Sequence, residues 1–327
     1  MSALLKKNKT YPKFRVFFYK DAIKQMVRIR TAEEFIRDSF WDEKIFSFLH
    51  LCIGQEASAV GVSSALDSKD LMLGNHRSHG HYLAKGGDLS KMIYEVFGDR
   101  RGCCGGFGGS MHMLDRGVGF MGTTPILGSV ASIGVGQAFA YQKIQPHSLV
   151  VVFLGDGAAE EGSFMESINL AVNKSCNIIF VVEDNKYSVQ SNKLDRKSMH
   201  YSHKSLFEGL GAIYFREDGQ NVESVFNVTT NALEFARNGR PVVIHLDVLR
   251  RHSHSGPILE MKDETYRDKS DSINHRKLND CILLASNNAV LKGTSQSEVD
   301  SWIESEKTKT FQLLALVKKN IKVRSFD

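Results

Sequence analysis

The sequence predicts an α/β protein, a mostly parallel sheet with helices on both faces and helical extensions at each end. Three observations carry this. Leu149 to Leu154 is an unbroken apolar run, as expected of a strand buried on both faces. Phe164, Ile168, Ala171 and Val172 then recur at helical spacing. Ile178 to Val182 is a second apolar run. Strand, helix, strand in this order is a βαβ unit, whose crossover makes the two strands parallel. Their tips carry Asp156 in the loop GDG and Asn185 in EDN, 29 positions apart (185 − 156). Both therefore lie at the carboxyl edge, where open α/β sheets bind ligands.

The flanking elements follow in order. Residues 14–50 read as helix, with Phe14, Phe17, Phe18, Ala22, Met26 and Ile29 as a rough apolar stripe continued by Phe35, Phe40 and Ile45. Residues 125–142 read as a loop and a small-residue helix, in which Ala131, Gly134, Gly136 and Ala138 permit close packing. Val242 to Val248 supplies a third strand, and its carboxyl end delivers Arg250, Arg251, His252 and His254. Residues 261–327 read as charged helices. With 5 prolines in 327 residues and no Pro/Ser-rich linker, we expect one domain. It divides into N-terminal helices (1–50), a core (51–250), and a loop with C-terminal helices (251–327).

Composition narrows the class. The chain is 42% hydrophobic and 24% charged, enough for a sizeable core. The net charge of +5 is mild, and Lys6, Lys7 and Lys9 cluster in an N-terminus expected to fray. No basic–aromatic stripe points to nucleic acid, and no apolar run approaches the roughly 20 residues of a membrane span. No secretory signal is visible, and five scattered cysteines fit a reducing, cytoplasmic setting.

The chemistry of the central loop follows from residue type. Asp156 offers a carboxylate and Asn185 a neutral carbonyl oxygen. Gly155 and Gly157, with Ala158 after them, leave room for a large anion, and a helix is expected to start just beyond. Two hard oxygens beside a phosphate cradle suit Mg²⁺.

These residues resemble a known family. GDG followed about thirty residues later by an asparagine is similar to the diphosphate–magnesium motif of thiamine diphosphate enzymes. GDGAAEEG-x-F-x-E-x-x-N-x-A resembles the α subunit of the 2-oxo acid dehydrogenase E1 component, the group of pyruvate, branched-chain 2-oxo acid and acetoin dehydrogenases. GQEA at 54–57 and GGSMHM at 108–113 strengthen it. The resemblance implies Asp156, Asn185 and the backbone oxygen of Tyr187 as Mg²⁺ ligands. It makes Arg77 and Arg250 phosphate ligands, places His76 against the cofactor and His79 near the active site, and assigns proton traffic to His254. Ile126 and Leu127 match the segment whose backbone meets the aminopyrimidine ring. Glu56 is expected to be structural, since in two-chain relatives the pyrimidine-activating glutamate belongs to the β subunit. The resemblance further implies a β partner, an α₂β₂ assembly and transfer of the acyl unit to a lipoyl-bearing E2 chain. Ser255 falls where some relatives are phosphorylated. Four positions depart from the pattern: His76 for tyrosine, Pro125 for glycine, Glu160 for asparagine or serine, and Asp184 for asparagine. They keep a second reading open, a transketolase-like or carboligase subunit that passes its activated carbon to another acceptor.

Overall fold

The computed structural model describes residues 12–41, 45, 47–198, 200–256 and 279–323. The lysine cluster at 6–9 and the helical reading of 261–278 lie outside them. Six strands, β1 (Leu71–Gly74), β2 (Phe120–Thr123), β3 (Val150–Gly155), β4 (Ile178–Asp184), β7 (Ile213–Asp218) and β8 (Val242–Asp247), form one sheet. Its order is β2-β1-β3-β4-β8-β7. Every pairing within it is parallel. The predicted α/β class is correct. A short ribbon, β5 (Tyr187–Ser188) with β6 (Ser191–Asn192), follows the tip of β4.

The alternation of side chains along the central strands divides the core into two layers. Val151 and Phe153 of β3, Ile179 and Val181 of β4 and Ile244 of β8 face one layer. Val150, Val152, Phe180, Val182 and Val243 face the other. Helices cover the first layer: α1 (Pro12–Phe40), α2 (Glu56–Ala65), α3 (His79–Ala84), α4 (Leu89–Val96), and elements downstream. The second layer is covered by α5 (Ser129–Ile144), α6 (Gly162–Asn173) and, beyond the one-turn α7 (Lys193–Arg196), by α8 (His203–Gly209). α9 (Val222–Ala236), α10 (Cys281–Leu291) and α11 (Gln296–Lys319) return to the first layer.

The βαβ reading holds residue by residue: Phe164, Ile168 and Ala171 are buried under β3 and β4. Gly134 earns its place by close approach, because a Cβ there would collide with Val152 of β3. The first helix is shorter than its apolar stripe suggested. It ends at Phe40, and residues 48–52 run without helix, with Leu49 and Leu51 buried. An apolar run of this length reads equally as helix or as buried extended chain.

β1 sits beside β2 on one side and β3 on the other, so the direction of winding reverses there. The register aligns the tips: Gly155 pairs with Glu183, and Asp184 with Asp247. The switch point and these aligned tips define one edge at which chemistry from four strands meets.

Buried charges brace the layer behind it. Glu56 is fully buried and accepts from Arg30 (Nε 2.5 Å, Nη2 2.9 Å), Gly54 N (2.9 Å) and Cys281 Sγ (3.1 Å). It is committed to the scaffold. Removing it leaves Arg30 buried against a weakened partner set. We therefore expect Glu56→Ala to cost about 3–5 kcal/mol in urea unfolding; a loss below about 1 kcal/mol would contradict this bracing role.

Candidate active site

A cavity of about 660 Å³ opens at the carboxyl edge of the sheet. The tip of β1 delivers His76 and Arg77 to it, β3 delivers Gly155 to Ala158, and β4 is followed by Asn185 and Tyr187. His254 reaches it from beyond β8, and Ile126 and Leu127 close it from the loop before α5. Of the residues expected from sequence to hold the cofactor, the metal or a proton, all but His79 and Arg250 line it.

Those two residues lie outside its lining. His79 is fully buried, and both ring nitrogens are engaged, Nδ1 with Glu33 and Nε2 with Ser110 Oγ at 3.0 Å. Glu33 also accepts from Cys52 N at 2.6 Å. His79 thus ties α1, α3 and the glycine-rich loop together behind the cavity. Arg250 lies beside the lining: its Nη2 donates to the Val189 carbonyl (3.0 Å), and its guanidinium lies 6.0 Å from the Tyr187 ring centre. It supports the turn after Asn185.

The GDG loop is built differently from expectation. Gly157 has helical backbone angles (φ −65°, ψ −41°), so no special conformation demands glycine. It is needed because a Cβ would strike the Ser188 side chain. A Cβ on Gly155 would meet nothing within 4 Å. The element after the loop is a single 3₁₀ turn, Ala158–Glu160, and the α-helix starts at Gly162. Asn185 makes an Asx turn, its Oδ1 accepting from Tyr187 N at 3.1 Å, while Lys186 adopts φ +71°.

Asp156 is 2% exposed. Burial and the neighbouring Asp184 carboxylate push its pKa up, against the pull of Arg196. Arg196 Nη2 donates to Asp156 Oδ2 at 2.6 Å. Arg196 also bonds Glu160 at 2.9 and 3.1 Å, and Lys197 approaches Glu160 at 3.0 Å. Burial alone would raise the Glu160 pKa, but these cations outweigh it and hold it low. Asp184 accepts from Lys186 N (2.9 Å), His245 Nε2 (2.8 Å) and Lys193 Nζ. The two departing carboxylates, Glu160 and Asp184, are thus neutralised from within the chain. Sequence reading missed Arg196, Lys193 and Lys197. The available signal was the alternating charge of KLDRK at 193–197, close after two unexplained acids.

The comparisons with known proteins come to the same place. Residues 24–313 match the dehydrogenase E1 component family. The chain belongs to this family. It is 33% identical over 259 residues to the α subunit of acetoin:2,6-dichlorophenolindophenol oxidoreductase of Bacillus subtilis, covering 79% of this chain and 76% of that one. The corresponding subunit of Cupriavidus necator is 34% identical over 262 residues (80% and 77%). The pyruvate dehydrogenase E1 α subunit of Rhizobium meliloti is 33% identical over 254 residues (76% and 73%). The resemblance to E1 α subunits drawn from the sequence is correct, and membership implies thiamine diphosphate as the cofactor and a β subunit as partner. Among the described residues no helix is long and apolar enough to cross a membrane.

In this E1 chain the cavity wall opposite Asp156 is basic but holds neutral imidazoles. Arg77, 3% exposed, donates to the carbonyls of Leu51 (2.8 Å) and His254 (2.9 Å). Burial and the nearby Arg250 charge disfavour its own charge. Burial, then the Arg77 charge, pushes His50 down to about 3, and burial with Arg77 and Arg250 pushes His254 down to about 4. His76 is pushed well down by the same causes. Unfolded imidazoles titrate near 6.5. Between that value and about 4 the unfolded chain binds more protons, so stability is full above pH 6.5 and falls as the pH drops. We expect the thermal midpoint to fall by several degrees from about pH 7 to pH 5. The fall should be shallower in His50→Gln; an equal fall in that variant would assign the acid sensitivity elsewhere.

Proposed function

We propose that this chain holds the diphosphate end of thiamine diphosphate in the cavity at the sheet edge and, with a β subunit, decarboxylates a 2-oxo acid. Mg²⁺ would be bound there by Asp156, Asn185 and the Tyr187 carbonyl. The observation that carries this reading is the convergence of Asp156, Asn185, Tyr187, Arg77 and His254 on one cavity, from four strand ends.

The residues fit both groups. A carboxylate, an amide oxygen and a peptide oxygen are the hard donors Mg²⁺ prefers, with water and phosphate completing its octahedron. Asp156 is buried where its negative charge is disfavoured, and a divalent cation relieves that cost. On the opposite wall the Arg77 charge is disfavoured by burial and by Arg250, and an anion relieves it. Both ring nitrogens of His76 are buried without a hydrogen-bond partner among the described residues. A diphosphate bridging the two walls would answer all three.

When bound, thiamine diphosphate supplies the nucleophilic carbon and the electron sink for loss of carbon dioxide from a 2-oxo acid. The chain does the rest by position. Arg77 binds phosphate through its fork and is aimed by its bonds to Leu51 and His254. His254, neutral at pH 7, accepts or returns a proton at a ring nitrogen facing the cavity. Ile126 and Leu127 present backbone to the flat end of the cofactor. Glu33, His79 and Ser110 fix the chain that carries Arg77.

The β partner supplies what this chain lacks. Glu56 is committed to Arg30, and we propose, in keeping with the family resemblance, that the acid activating the pyrimidine comes from the β subunit. α5 buries Ala131, Gly134 and Ala138 on the sheet and exposes Ile133 (46%) and Phe139 (39%) on its other side. We assign that apolar face to the subunit contact of a cytoplasmic α₂β₂ assembly, with a lipoyl-bearing E2 chain as acceptor.

Calorimetry on the complex with its β subunit tests the metal assignment. Thiamine diphosphate should bind in the presence of Mg²⁺ and fail to bind in EDTA. Asp156→Ala should weaken it about 100-fold or more, beyond the usual effect of losing an outer-shell partner. Unchanged affinity in that variant would overturn the assignment.

A further inference from the structure

A second cavity, of about 710 Å³, opens among α7, the start of α8 and β7. It shares no lining residue with the first. Every fully charged side chain in its lining, among the described residues, is a cation: Lys193, Lys197, Lys204 and Arg216. The acids that pair with three of them stand outside the lining, Asp184 with Lys193, Glu160 with Lys197 at 3.0 Å and Asp247 with Arg216 at 2.8 Å. These pairings leave donors over, because an ammonium carries three N–H groups and a guanidinium five. Lys197 is the deepest of the four, its side chain 7% exposed. Burial lowers its pKa in spite of Glu160, and the Lys193 charge adds to the fall. A second anion would relieve both effects. Beside the cations runs a chain of rings: Tyr201 against His203 (centres 4.9 Å apart), His203 against Phe207 (5.4 Å) and Phe207 against Tyr214 (6.0 Å). Tyr201, His203 and Tyr214 all line the cavity. His203 also lies 2.9 Å from Lys197 Nζ, and burial, then the His245 charge, pushes it down to about 3, so it adds a neutral polar group.

We propose that this second cavity binds a small phosphate ester that carries a planar group, of the nucleoside monophosphate class. The charge of the lining selects the sign of the ligand, since a cation entering here would meet only like charge. It also favours a dianion over a single carboxylate, because one phosphate presents three oxygens to donors that come from α7, α8 and β7 together. Lysine and arginine are the side chains that suit phosphate, the one as a point charge and the other as a fork. The rings select the rest of the molecule. Tyrosine and neutral imidazole offer flat faces on which a base or other planar group stacks. Lys197 Nζ already lies 4.6 Å from the centre of the Tyr201 ring, so charge and stacking surface meet at one point. The volume falls within the range of about 300–1,000 Å³ usual for small-molecule sites.

The site does not rest on the cofactor assignment, and its test needs no turnover. The complex of the full chain with its β subunit, saturated with thiamine diphosphate and Mg²⁺, is titrated with adenosine 5′-monophosphate in a calorimeter. We expect one site per chain with a dissociation constant below about 1 mM, weakening as the ionic strength is raised. Adenosine and inorganic phosphate should each bind at least about tenfold more weakly. Lys204→Glu and Arg216→Gln should each weaken the nucleotide at least about tenfold, and Tyr201→Ala about fivefold or more. Lys204 is exposed and belongs to neither cavity's ion pairs, so Lys204→Glu should keep its affinity for thiamine diphosphate and thereby report an intact fold. No binding to the saturated complex would overturn the proposal, as would unchanged affinity in all three variants. Equal affinity for adenosine would remove the phosphate from recognition, and equal affinity for inorganic phosphate would remove the planar group; either overturns the ligand class. Displacement of thiamine diphosphate by the nucleotide would place it in the first cavity and overturn the second site.

Discussion

Burying a carboxylate at the tip of the central strand is the constraint around which this molecule is arranged. Asp156 is held in a parallel sheet where neighbouring tips also carry acids, Asp184 on β4 and Asp247 on β8. Parallel pairing forces this crowding, because it brings every carboxyl end to one side. Like charges in a low dielectric cannot stand together without cations. The stretch 193–197 supplies three, with Lys193, Arg196 and Lys197 reaching Asp184, Asp156 and Glu160 respectively, and Arg216 of β7 pairs with Asp247. The departures Glu160 and Asp184 and these three cations form one balanced set. They explain how two additional acids are tolerated beside a site for an anion.

The parts of this arrangement that were legible in the sequence are local. Apolar runs located β3 and β4, helical spacing located α6, and the parallel rule then placed Asp156 and Asn185 together without any tertiary information. What was not legible depends on long-range approach. Glu33 and His79 are 46 positions apart and Arg196 and Asp156 are 40 apart, and nothing in either segment marks the other. His50 lay hidden in an apolar run that reads as continuing helix. Arg250 was placed by a motif, which fixes its backbone position but not the direction of a long side chain. Sequence alone did not reveal that Gly157 is also required by the close approach of Ser188.

The two walls of the cavity have opposite electrostatic deficits. On the β3–β4 side burial and Asp184 disfavour the Asp156 charge in spite of Arg196, and on the β1–β8 side burial and Arg250 disfavour the Arg77 charge. Neither deficit is visible as a stabilising interaction, and each costs the folded chain free energy. A metal–diphosphate pair bound as proposed, itself a cation joined to an anion, would have one orientation that answers both. Reversed, it would set positive against positive and negative against negative. Orientation therefore comes from charge placement before any shape complementarity is considered.

The histidines refine that polarity. Were His50, His76 and His254 protonated, the β1–β8 wall would carry three further positive charges beside Arg77, and mutual repulsion at ring separations near 5 Å would be severe. Burial first, and then the Arg77 charge, keeps all three rings neutral. Burial and one cation together leave them as lone-pair donors and proton acceptors. That neutrality leaves His254 a free ring nitrogen for the proton transfer proposed for it.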